Sequence, residues 1–165
     1  MIIVLGAPRS GTKSSARALE LLNLNVLRYC PITRCQTEAE LNFILDSGTS
    51  AHDAIVSSGY SEHSVSLWLT QFPDAVYINC TRDEDQRKAS LARLGCRSDI
   101  DLAEINRCVS LIEEMPQHYM LDCSWSDRKK WSVLYAAYAN HKVQESGLVY
   151  PKENLSRNGT ALGLQ

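Results

Sequence analysis

The sequence predicts an α/β fold of three layers, α/β/α, with a mostly parallel sheet and a P-loop-like opening. Three observations carry this expectation. Strand candidates at residues 1–5, 25–29, 54–57, 75–80 and 119–123 alternate with stretches of helical spacing, the pattern of a parallel sheet covered on both faces. The first apolar run passes straight into Gly6-Ala7-Pro8-Arg9-Ser10-Gly11-Thr12-Lys13-Ser14 and then into helical spacing at residues 15–22. A chain of 165 residues, 44% apolar and 22% charged, is also large enough for one domain with a substantial core.

Each element has its own local signal. Pro31 stops the second strand, and Thr37 with Glu40 forms a capping-box spacing before Leu41, Ile44 and Leu45. That spacing predicts a short helix ending near Gly48. After the strand at 54–57 comes a polar loop at 58–63. Ser64 is read as the cap of a helix whose Val65, Trp68, Leu69 and Phe72 share a face, ended by Pro73. Val76, Tyr77 and Ile78 centre the next strand, and Asp83 caps a helix over 84–94. Asp101 and Glu104 start another, with Leu102, Ile105, Val109 and Ile112 on one side and Pro116 beyond it. The last strand precedes a helix expected to use Trp131, Leu134, Tyr135 and Tyr138. From Gly147 the periodicity stops, so the expected organisation is one domain, 1–147, and a C-terminal loop or tail, 148–165.

Composition narrows the function. A net charge of −2 argues against general nucleic-acid binding. No apolar run reaches membrane-spanning length, and the first strand is too short for a signal peptide; a cytoplasmic protein with no membrane partner is expected. Cys30, Cys35, Cys80, Cys96, Cys108 and Cys123 form no C-x-x-C pair and no zinc spacing, so reduced, mostly buried thiols and no metal are expected.

The opening loop has the parts of an anion cradle. Loop amides and the positive end of the helix dipole converge where a phosphate would sit. Gly6 and Gly11 permit a tight path, while Arg9, Lys13 and the hydroxyls of Ser10, Thr12 and Ser14 add charge and donors. The nucleotide-binding pattern G-x4-G-K-[ST] fails at one place, because Thr12 rather than Lys follows Gly11.

Gly6-Ala7-Pro8-Arg9-Ser10-Gly11-Thr12 instead resembles the 5′-phosphosulfate loop of the sulfotransferases, a strand running into a Pro-Arg/Lys-Ser-Gly-Thr turn. A second stretch supports the resemblance: Phe72-Pro73-Asp74-Ala75-Val76-Tyr77-Ile78, then Arg82 at the strand end and Ser90 eight residues on. An Arg fork with a helix-borne hydroxyl suits a dianionic phosphate. The resemblance covers residues 2–22 and 54–94. It implies a sulfotransferase-like fold, 3′-phosphoadenosine 5′-phosphosulfate (PAPS) as donor and 3′,5′-adenosine bisphosphate (PAP) as product. It also implies that Arg9, Ser10, Gly11, Thr12, Lys13 and Ser14 hold the 5′ end, and Arg82 and Ser90 the 3′-phosphate. The family's Arg-Lys-Gly-x-x-Gly element is not present as such, and Ser156-Arg157-Asn158-Gly159 matches it only loosely.

Sulfuryl transfer needs charge stabilisation at the leaving phosphate, for which Arg9 or Lys13 is the candidate, and a base for the acceptor's proton. Family members place a His or Glu after the preceding strand, where this chain has Glu62 and His63. His52 and Asp53 lie upstream of that strand, at the end expected to point away from the donor. The acceptor, a small-molecule or glycan hydroxyl or amine, is not legible. Two other readings stand beside this one. A small P-loop kinase would use Lys13-Ser14 as a displaced pair and Arg87, Arg93 and Arg97 as a phosphate clamp. A non-catalytic relative would keep only the phosphate cradle.

Overall fold

Local sequence explains where the elements begin. In the computed structural model, which describes residues 1–28, 52–57, 60–97 and 100–147, side-chain caps open several helices. Ser61 accepts from the Ser64 amide at 3.2 Å and opens α2, Glu62–Gln71. Asp83 opens α3, Glu84–Ala92; Asp101 opens α4, Leu102–Glu113; Ser126 opens α5, Asp127–Glu145. Each cap satisfies a first-turn amide that the helix itself cannot. The helix expected to start at Ser64 therefore begins three residues earlier. Glu62 and His63 belong to its first turn rather than to a loop. An acidic side chain there is favoured by the helix dipole.

The helix preceding these, α1, Thr12–Leu21, is different. Its cap is Gly11, which offers no side chain, and its first turn contains no acidic residue.

Five parallel strands, β1 (Ile2–Gly6), β2 (Val26–Arg28), β3 (Ala54–Val56), β4 (Val76–Thr81) and β5 (His118–Asp122), form one sheet in the order β2-β3-β1-β4-β5. The chain places β3 on one side of β1 and then crosses to place β4 on the other. The carboxyl end of β1 is thus a topological switch point, the usual ligand crevice of an open α/β sheet. Registry brings Gly6 level with Cys80, so the first loop and the segment after β4 leave the sheet side by side.

Alternation along β1 divides the core. Ile2 and Val4 pack with Ala16, Leu19, Leu134 and Ala137 of α1 and α5, whereas Ile3 and Leu5 pack with Val65, Trp68, Cys108 and Ile112 of α2 and α4. These are the three layers that the alternating pattern predicts. In α5 the inward face is carried by Leu134, Ala137 and His141, while Trp131 and Tyr135 are exposed. The expectation that both aromatics face the core is corrected. A helix repeating every 3.6 residues that buries 134, 137 and 141 turns 131 and 135 toward its flanks.

Cys80 and Cys108 are buried, and burial pushes both thiols up to about 12; Cys96 is exposed. The helix expected at 37–48, the tail at 148–165, Arg157, and the cysteines at 30 and 35 lie outside the described residues.

Candidate active site

The loop after β1 has a backbone set up to receive a ligand. The Ser10 amide donates to the Ala7 carbonyl at 3.0 Å, closing a turn with Pro8 at its second position and Arg9, φ 72°, at its third. That is the pattern of a type II turn, which wants φ > 0 at the third position and normally takes Gly there. A non-glycine residue in this region costs about 1–3 kcal/mol. Gly11 follows at φ 101°, where a Cβ would be strained. Gly6 is needed for space: a Cβ there would stand 2.5 Å from Ser10 Oγ and 2.7 Å from the Cys80 carbonyl oxygen.

Strain and crowding place the start of α1, uncapped, at the carboxyl end of the sheet. First-turn amides that lack a side-chain cap face outward for a ligand.

Residues distant in sequence meet here. Arg9 Nε donates to Ser90 Oγ at 2.9 Å across 81 positions, and Arg82 Nη1 donates to the Arg9 carbonyl at 3.3 Å across 73. Arg9, Arg82 and Ser90 are therefore one cluster, beside the turn that opens α1. Arg9 extends its side chain toward the Arg82–Ser90 end of the site. Two polar atoms in the cluster are buried without a hydrogen-bond partner, Ser10 Oγ and Arg82 Nε. Both residues line a cavity of about 250 Å³ that also touches Ala7, Tyr60, Glu84 and Arg87. Unpaired buried donors cost free energy, so each of these two atoms is a candidate contact for a ligand group.

Thr12 is buried, whereas Lys13 and Ser14 are exposed at the start of α1. Glu62 and His63 are exposed, and neither lines the cavity. Glu62 instead accepts from Arg107 Nε at 2.8 Å, and the bond to this carboxylate raises the Arg107 pKa. His52 and Asp53 lie at the amino ends of the strands, where the Ile2 amide donates to the Asp53 carbonyl.

Two features of the site escape sequence reasoning. Tyr60 is buried on the cavity wall and donates to Asn79 Oδ1 at 3.0 Å; burial raises its pKa. Leu102, Ile105, Asn106 and Val109 of α4 also line the cavity.

No protein-family model matches the chain, and no curated protein matches it. Among solved structures it is similar to the YorR protein of Bacillus subtilis in complex with phosphorylated GDP. The two share 13% identity and a TM-score of 0.52, over 88% of this chain and 98% of that one. That likeness shows the fold. The α/β, P-loop-like architecture read from the strand–turn–helix opening is therefore seen in both the structure and its neighbour.

Proposed function

We propose that the chain is a sulfotransferase-like enzyme that binds PAPS across the turn after β1 and the Arg9–Arg82–Ser90 cluster. The observation that carries the reading is the 2.9 Å bond from Arg9 Nε to Ser90 Oγ, with Arg82 bonded to the Arg9 carbonyl. These contacts join the two stretches that resemble the sulfotransferase phosphate sites. Two orphaned donors, Ser10 Oγ and Arg82 Nε, and an uncapped helix start fit a ligand with anionic groups at both ends.

In this reading the α1 amides, Ser10 and Thr12 hold the 5′ end, and Arg82 with Ser90 holds the 3′-phosphate. Lys13 and Ser14 stand at the rim. One of the five N–H groups of Arg9 goes to Ser90, which leaves its terminal nitrogens to stabilise charge on the departing phosphate. When bound, the donor supplies an activated sulfuryl group. The acceptor, a small-molecule or glycan hydroxyl or amine, attacks sulfur while the bond to the phosphate oxygen breaks, and a base takes the acceptor's proton. Glu62 and His63, in the first turn of α2, are the candidate bases that the resemblance implies, and the Glu62 carboxylate accepts from Arg107.

A nucleotide kinase is the second reading, favoured by the likeness to a structure holding phosphorylated GDP. Among the described strands the carboxylate at a carboxyl end is Asp122 of β5. It lies two strands from β1, and its Oδ1 accepts from Ser124 Oγ at 2.6 Å. That is a poor place for a magnesium ligand.

Thermal denaturation separates the two. Magnesium-free PAP at about a hundred times its Kd raises Tm by about 5–10 °C if the proposal holds. A shift with Mg-ATP or Mg-GTP and none with PAP ends it.

A further inference from the structure

The amino-terminal edge of the sheet, opposite the cavity, gathers a second set of chemically distinctive side chains. His141 and Glu145 are one turn apart on α5, and Asp53 immediately precedes β3. One ligand atom from each lies within 4.8 Å of the other two.

We propose that Asp53, His141 and Glu145 bind a divalent transition metal, with zinc the ion best matched to one imidazole and two carboxylates. The imidazole is the decisive member. His141 is 2% exposed, and neither Nδ1 nor Nε2 makes a hydrogen bond. Nε2 lies 3.2 Å from Glu145 Oε1 without hydrogen-bond geometry. In a four-coordinate zinc site with bonds of about 2.0–2.2 Å, neighbouring ligand atoms stand about 3.3–3.5 Å apart. The His141–Glu145 pair, at 3.2 Å, is close to that spacing, and an Asp53 carboxylate oxygen lies within 4.8 Å of both.

The remaining oxygens are held as a metal site requires. The Asn25 amide donates to Asp53 Oδ2 at 2.7 Å, and Lys142 Nζ donates to Glu145 Oε2 at 2.6 Å. Gln144 Nε2, which donates to the Asp74 carbonyl at 2.8 Å and to Gln117 Oε1 at 2.9 Å, fixes this end of α5 against the sheet. The Met1 amino group also lies in the field of Glu145 and Asp53, and burial lowers its pKa. It and Lys142 can balance the carboxylates' charge, but they leave the imidazole nitrogens without partners, whereas a metal ion satisfies one directly.

The probe is Co²⁺ added to the metal-free full chain, followed by its visible absorption and by displacement with Zn²⁺. The expected result is one tightly bound cobalt per chain, no thiolate charge-transfer band, and release by zinc. Glu145→Gln, on the surface, and Asp53→Asn, which retains an acceptor for the Asn25 amide, each weaken binding at least about tenfold. Zinc raises the Tm of the parent and not of Glu145→Gln. Absence of binding by the parent, a thiolate band, or affinity unchanged in both variants overturns the proposal. None of these readouts depends on the PAPS reading.

Discussion

Arg87 is a charged side chain that is 1% exposed, and it is tolerated because Glu84 grips it from one turn earlier. Its Nε and Nη2 donate to the two carboxylate oxygens at 2.7 and 2.8 Å. The paired hydrogen bonds from Arg87 hold the Glu84 carboxyl below its usual range. A depressed carboxylate pKa contributes stability above the unfolded-state pKa, near 4.5, and that contribution is lost as pH falls through the folded value. Glu84→Gln keeps the shape but removes the counter-charge of a buried guanidinium, so a loss of about 3 kcal/mol at pH 7 is expected. Thermal melts from pH 7 to pH 3 check both parts: the variant melts lower at neutrality, and the gap to the parent narrows below pH 4.5. A constant gap across that range would show that the pair is not the titrating unit. Arg9 makes the same point about legibility. Its charge and its place in a Pro-Arg-Ser-Gly-Thr turn can be read from the sequence. That its guanidinium ends on Ser90, 81 residues away, is a product of strand order.

The strand–turn–helix opening works because small residues are placed where backbone and neighbours leave no room. Gly6→Ala pushes a methyl carbon against Ser10 Oγ and the Cys80 carbonyl oxygen, at 2.5 and 2.7 Å. The serine side chain can turn away but the carbonyl cannot, so the end of β1 must shift from β4. Overpacking of this kind costs about 1–3 kcal/mol, which for a chain of this size lowers Tm by about 2–12 °C. Ligand affinity falls further than stability, since the turn moves with the strand. A Gly6→Ala protein with parental Tm and parental PAP affinity would contradict the close approach. The start of α2 illustrates what local reading misses at this scale. Ser61 and Ser64 both have capping chemistry, their hydroxyls lie 2.7 Å apart, and backbone conformation decides that Ser61 is the cap. The inward face of α5 differs from the expected one for a related reason: residues 131, 134, 135 and 138 also share a helical face, and tertiary packing decides that Leu134, Ala137 and His141 are the ones buried.

At the scale of the molecule, most strands and helices are legible because each announces itself within a dozen residues. Alternating apolar runs give the parallel sheet, and caps at Asp83 and Asp101 give helix starts. What short-range pattern does not encode is what the sheet order brings together. Crossing from β3 over β1 to β4 puts Arg82 beside Arg9 and brings Tyr60 and α4 to the wall of one cavity. The same topology gathers Asp53 with His141 and Glu145 at the other edge; the i, i+4 pair is visible in the sequence, but its meeting with Asp53, 88 residues before His141, is not.

The central claim is that the helix-start cradle and the Arg9–Arg82–Ser90 cluster grip opposite ends of one adenosine-bearing donor. Its most direct measurement is a crystal structure of the chain with PAP, supported by calorimetry on Arg82→Ala. The account predicts the 5′-phosphate at the α1 amides, the 3′-phosphate at Arg82 and Ser90, and an affinity loss of about 10- to 100-fold in the variant. A phosphate in the turn with none at Ser90, or an Arg82→Ala protein that binds PAP as tightly as the parent, would contradict it.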